Sequence, residues 1–126
     1  MRVAIPIWGD RISPVLDVAR ELLVIDVEQG LETGRRVLPL HGNSLSERVA
    51  CLKENDINCL LCGAVSNIFL NHLSANDLEV NPWLMGRADD VLQAYVQGRL
   101  SESRYAMPGC CGRRRRRGFR GGRFNP

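Results

Sequence analysis

No apolar run in the 126 residues approaches the roughly 20 needed to cross a bilayer. The longest, "ELLVIDV" at 21–27 and "INCLLCGAV" at 57–65, are short enough to be strands. The opening residues lack a basic-then-apolar signal pattern, so a cytoplasmic protein with no membrane partner is expected. Also missing are G-x-S-x-G, a P-loop and a complete dinucleotide fingerprint, which removes support for the common enzyme chemistries built on them. Nothing repeats internally. Acid is absent from residues 113–126, which hold seven arginines; the remainder has ten basic against 14 acidic side chains and stands at −4. A basic tail thus hangs from an acidic body, and a run of like charge at that density resists compaction.

At this length, with 44% hydrophobic residues, the chain can bury one core. Residues 2–8, "RVAIPIW", place Val3, Ile5 and Ile7 on one face of a strand, with Pro6 restricted to a position that needs no ladder donor. "ELLVIDVE" at 21–28 is a second strand and "GRRVLPL" at 34–40 a third, which Pro39 assigns to an edge. The period then changes. Ser44 and Glu47 fit a capping box, and Leu45, Val49 and Leu52 give a helical stripe to about Asn55. "INCLLCG" at 57–63 is a buried strand, Ser66 caps a short helix with Ile68, Phe69 and Leu73, and "LEVNP" is a fifth strand. Ala88, Val91, Leu92, Tyr95 and Val96 mark a last helix stopped by Gly98. A three-strand antiparallel meander followed by α-β-α-β-α, with right-handed crossovers, is an α/β fold with a mixed five-stranded sheet and packed helices, the ribonuclease H-like arrangement. The domain is expected over 1–102, with 103–126 a flexible, disordered Gly/Arg/Cys-rich tail.

Ligands of open α/β sheets favour the crevice beyond the carboxyl ends of the strands. Three segments belong there: "WGDRISP" after the first strand, "HGNS" before the first helix, and "CGAVS" after the fourth strand. The last feeds a helix N-terminus, whose free N–H groups favour an anion. Two-metal nuclease chemistry is not expected, because Asp10, Asp17, Asp26, Asp89 and Asp90 do not converge on a strand pattern able to hold ions about 4 Å apart.

Five cysteines, an odd number in a chain without export signals, are expected to be reduced thiols. Cys59 and Cys62 spell C-x-x-C, but residues three apart on a strand point to opposite faces. Cys59 is therefore read as packing and Cys62, at the strand terminus, as a candidate single metal ligand; Cys51 lies off the main helix stripe. Cys110 and Cys111 stand between glycines beside the arginines, which favour thiolate over thiol and so favour soft-metal binding. Two ligands do not close a site, so partners from the body or from another chain are required. His41, next to Gly42 in a loop, is the candidate imidazole ligand.

Taken in order, "MRVAIPIWGDRISPVLDVARELLVIDVE", "INCLLCGAVSNIFLNHL", "DLEVNPW" and "GRADDVLQAYVQGRL" resemble the dinitrogenase iron-molybdenum cofactor biosynthesis family across residues 1 to about 100, and "MPGCCG" resembles the tail of some members. The resemblance implies a ribonuclease H-like fold and a non-enzymatic protein that binds or carries a metal-sulfur cluster of molybdenum, iron or copper, alongside cluster-assembly proteins. It puts Arg11, Ser13 and Pro14 in the family's first loop, Cys62, Gly63 and Ser66 in its glycine turn, and His41 in a loop where some members offer a ligand. The usual second glycine of that turn is Ala64 here. The competing reading is a nucleic-acid or polyanion arm: "RRRRRGFRGGRF" interleaves arginine with Phe119 and Phe124, combining phosphate attraction with stacking.

Overall fold

A computed structural model of the chain describes residues 1–40, 44–101 and 103–107. Alternation in β1 (Arg2–Trp8) sends Val3, Ile5 and Ile7 into one core and Ala4 into another. A tight turn at Gly9 and Asp10, with Gly9 at φ +68°, reverses the chain into β2 (Arg11–Ile12), which pairs Ile12 with Ile7 and Arg11 with Trp8. Only glycine takes that conformation without steric cost. This two-residue strand corrects the expected count: among the described residues the sheet has six strands, because a segment that reads as loop from its glycine and polar residues closes a hairpin on the end of β1.

After a single 3-10 turn at Leu16–Val18, β3 (Glu21–Glu28) runs antiparallel to β1, and β4 (Leu31–Pro39) runs antiparallel to β3. Residues 29 and 30 make their two-residue turn with positive φ at both, 54° and 79°, the conformation that matches strand twist. That turn fixes the register, so Leu31–Thr33 join the strand despite their polar composition, with a bulge where Asp26 opposes Gly34 and Val27 opposes Glu32. β5 (Cys59–Leu61) lies parallel to β1, and β6 (Glu79–Asn81) parallel to β5. The order is β4-β3-β1-β5-β6, with β2 beside the end of β1. Pro6 fits in this central strand because β5 pairs only with Val3 and Ala4, and the Pro6 carbonyl accepts from the Ser13 N–H at 2.8 Å instead.

Helix α1 (Leu45–Glu54) begins in the expected capping box between Ser44 and Glu47. Together with α2 (Asn67–Ala75) it covers one sheet face, packing Val49, Leu52, Phe69 and Leu73 on Ala4, Leu22, Val24 and Leu60. Helix α3 (Ala88–Val96) covers the other face, seating Ala88, Val91, Leu92 and Ala94 on Val3, Ile5, Ile25 and Leu61. Residues 103–107 continue to pack: Tyr105 is buried in the α3-side core and Ala106 bridges Leu84. Among the described residues no helix is long and apolar enough to cross a membrane.

Candidate functional site

Beyond the carboxyl ends of β1, β5 and β6, three loops lock together through their backbones. The first, residues 9–19, and the turn after β5 run side by side: the Ala64 N–H donates to the Pro14 carbonyl and the Leu16 N–H to the Ala64 carbonyl, both at 2.8 Å. Gly63 makes that approach possible, since a Cβ there would stand 2.7 Å from the Pro14 oxygen and 2.8 Å from that of Ser13. The third loop follows β6: the Trp83 N–H donates to the Gly63 carbonyl at 2.8 Å, and the Ile12 N–H to the Gly86 carbonyl at 3.0 Å. Arg87 pairs with Asp10 across the junction, Nη1 to Oδ2 3.1 Å. Finally, the Met107 N–H donates to the Trp83 carbonyl and the Met85 N–H to the Tyr105 carbonyl, both at 2.9 Å, so the chain leaves this same end of the molecule at Met107.

Four sequence-predicted residues are thereby gathered. Arg11 is exposed on β2, and among the described residues no carboxylate pairs with it. Ser13 is 7% exposed, its hydroxyl donating a long bond to the Val15 carbonyl at 3.4 Å. Gly63 abuts Ser13 as given above, so its missing side chain serves the contact between two loops. Ser66 caps α2, its Oγ accepting from the Phe69 N–H at 3.2 Å. The anion at this helix N-terminus is the protein's own: the Ser66 N–H donates to Asp17 Oδ1 at 3.0 Å. With the Ala64 amide also engaged, the "CGAVS" turn offers an external anion fewer amides than its sequence suggests.

The two cysteines of C-x-x-C diverge as the strand period requires. Cys62 is fully buried in the core beneath α1 and α2, and burial, reinforced by the negative charge of Asp17, pushes its thiol well up. Ligation by Cys62 would require that thiol to lose its proton in the core interior. Cys59, on the opposite face, enters a polar knot: Glu79 Oε2 accepts from Tyr95 OH at 3.3 Å, Asn81 Nδ2 at 3.1 Å and the Cys59 thiol at 3.7 Å. Burial and the nearby carboxylate raise the Cys59 thiol, and burial raises the Tyr95 phenol. His41, Cys110 and Cys111 lie outside the described residues. Among the described residues no three His, Cys, Asp or Glu side chains gather as a metal site would need.

What the sequence did not disclose is an open hollow of about 550 Å³ lined by Ile7, Trp8, Ser13, Pro14, Val18 and Arg20 with their neighbours. Trp8 is 76% exposed and Val18 70%, a large apolar surface to leave in water beside a concavity. Two valines in a loop at 15 and 18 were the available signal. Glu21 also lines the hollow, so both a cationic and an anionic side chain border it. Leu40 and Arg48 reach this end as well, since the Leu40 N–H donates to the Arg20 carbonyl at 2.9 Å and Arg48 Nη1 to the Ala19 carbonyl at 2.7 Å; of the "HGNS" segment, residues 41–43 lie outside the described residues.

The class of fold is a mixed α/β sheet covered by helices on both faces. No family model and no curated protein matches the chain. Among solved structures it is similar to PH0822 at TM-score 0.73 and 20% identity, over 78% of this chain and 92% of that one. It is similar to a provisionally assigned dinitrogenase from Methanocaldococcus jannaschii, at TM-score 0.64 and 20% identity over 79% and 90% of the two chains. The apo form of the orange protein from Desulfovibrio gigas is similar at TM-score 0.65 and 18% identity, over 78% and 88%. At such identities these likenesses establish a shared fold.

Proposed function

We propose that the chain is a non-catalytic binding or carrier protein for an anionic metal-sulfur cluster, within the dinitrogenase iron-molybdenum cofactor biosynthesis family and its ribonuclease H-like arrangement. The observation that carries this reading is the hollow beside the first loop, with apolar walls from Trp8, Pro14 and Val18, and with Arg11 and Arg20 exposed near it. A sulfide-rich cluster is large, polarisable and negatively charged, so it suits an apolar wall with cationic edges better than a pocket of hard oxygen ligands. The name of one structural neighbour and the apo state of another are consistent with a ligand-carrying fold.

Thiolate ligands come from the tail in this reading. Cys110 follows Met107 by three residues in sequence, and the Met107 N–H is bonded to the Trp83 carbonyl at this end of the sheet. Arginines 113–117 add positive charge close in sequence, which favours thiolate over thiol. The test is anaerobic purification from the native host with elemental analysis and a visible absorption spectrum, for the wild type and for Cys110→Ser/Cys111→Ser. Stoichiometric metal and sulfide in the wild type, reduced in the variant, supports the carrier. A wild-type protein free of both, and unable to take up tetrathiomolybdate, overturns it.

A further inference from the structure

The wall of the hollow formed by residues 15–20 cannot hold its own shape. Its regular piece is the three-residue 3-10 turn at Leu16–Val18, which has no side-chain cap, and turns of that kind have poor internal hydrogen bonds. Leu16 and Ala19 enter the core beneath α1 and α2, whereas Val15, Val18 and Arg20 are exposed and line the hollow. The anchored side of this strap therefore sets where its exposed side stands.

Upstream, the strap is tied to the turn after β5 and to α2: the Leu16 N–H donates to the Ala64 carbonyl, and Asp17 Oδ1 accepts from the Ser66 N–H. Downstream, a side chain makes the tie. Arg48, in the first part of α1, donates from Nη1 to the Ala19 carbonyl at 2.7 Å. Ala19 is 3% exposed, and among the described residues no backbone N–H donates to that carbonyl. Without the guanidinium it would be a buried acceptor left unpaired. Arg48 is half-buried, and among the described residues no carboxylate pairs with it. A neutral donor would satisfy a carbonyl as well. A guanidinium also sets positive charge behind a residue that lines the hollow, the sign an anionic ligand needs.

We propose that Arg48 is a positioning residue of the hollow: by holding the Ala19 carbonyl it fixes the strap so that Val18 and Arg20 stand with Trp8 around the space the anion occupies. The inference rests on the carrier reading above and adds to it a residue that acts from behind the wall, through the strap.

The experiment compares wild type, Arg48→Met, Arg48→Lys and Glu79→Ala in the full chain. It uses thermal unfolding, anaerobic titration with tetrathiomolybdate, and trypsin cleavage of the native protein, with cutting of the Arg20–Glu21 bond followed by mass spectrometry. Methionine keeps an apolar stem and removes donors and charge, while lysine keeps a cationic donor. Glu79→Ala perturbs the opposite end of the parallel strands and controls for destabilisation as such. Arg48→Met should bind the probe about tenfold more weakly and be cut after Arg20 about tenfold faster, with Arg48→Lys within about threefold of wild type on both measures. Glu79→Ala should match wild type on both. Probe binding by Arg48→Met equal to that of wild type overturns the proposal. So does an equal loss of binding in Glu79→Ala, which assigns the effect to global stability. A wild type that takes up no probe brings down the carrier reading; cleavage after Arg20 then still decides whether Arg48 holds the strap, and unchanged cleavage in Arg48→Met sinks that too.

Discussion

The two ends of the parallel strands treat their polar groups in opposite ways. At the amino end, side chains satisfy one another: Arg2 Nε meets Asp26 Oδ1 at 2.7 Å and Arg2 Nη1 the Asn55 carbonyl at 2.8 Å, while Glu79 gathers Tyr95, Asn81 and Cys59. At the carboxyl end the backbones do the holding, through the bonds joining residues 9–19, 62–66, 83–87 and 103–107, and Trp8, Val18, Arg11 and Trp83 are left facing water. Side chains consumed by mutual contacts make a clamp. Side chains freed because the main chain supplies the rigidity are available to a ligand.

The contrast is broken most directly at Gly63. Gly63→Ala forces a methyl group against two backbone oxygens that cannot rotate away, and is expected to lower stability by about 3 kcal/mol and to abolish tetrathiomolybdate uptake. Denaturant unfolding and the anaerobic titration read both effects. At the other end, Glu79→Ala leaves the Cys59 thiol and Tyr95 hydroxyl without their shared acceptor, a loss of about 2 kcal/mol. Its probe affinity should remain that of the wild type, since the knot lies at the opposite end of the parallel strands from the loops. Impaired uptake in Glu79→Ala would erase the division of labour between the ends.

Acid titration sharpens the same comparison with a smaller effect. The Arg2 hydrogen bond holds the Asp26 carboxyl below its ordinary range. Its folded pKa is lower than its unfolded one, so the stabilisation is complete above the unfolded value, near pH 4, and disappears as pH falls through the folded value. Asp26→Asn should therefore flatten the acid limb of a stability curve recorded from pH 6 to pH 2 and leave Glu32, held low by Arg35, as a residual contributor. An unchanged limb would show that the clamp does not couple to folding. The smallest change is chemical: in Cys110→Ser/Cys111→Ser, half-buried Cys51 should react with a thiol reagent in the native state, whereas Cys59 and Cys62 should react only on unfolding.

Much of this architecture was readable from residue pattern. The five longer strands, three helices, and the caps at Ser44 and Ser66 follow from periodicity and short-range chemistry, which act within a few residues. β2 and the start of β4 were not, because two-residue hairpin turns set their pairing and composition there is polar. The site was half legible. Arg11, Ser13, Gly63 and Ser66 fall at one end, as the topology demands, but which amides remain open depends on loop-to-loop pairing that no local signal carries. Asp17 filling the α2 terminus, and Arg48 reaching the Ala19 carbonyl, are of that kind.

The outer strand β4 has a further meaning. It exposes one flank of nine residues, long enough to recruit another chain's strand. The irregularity between Asp26 and Val27 breaks its hydrogen-bonding rhythm, Arg35 and Arg36 bring charge to its middle, and Pro39 removes a donor at its end. These features make the margin a poor template for fibre growth, and the sheet ends there by design of its own sequence.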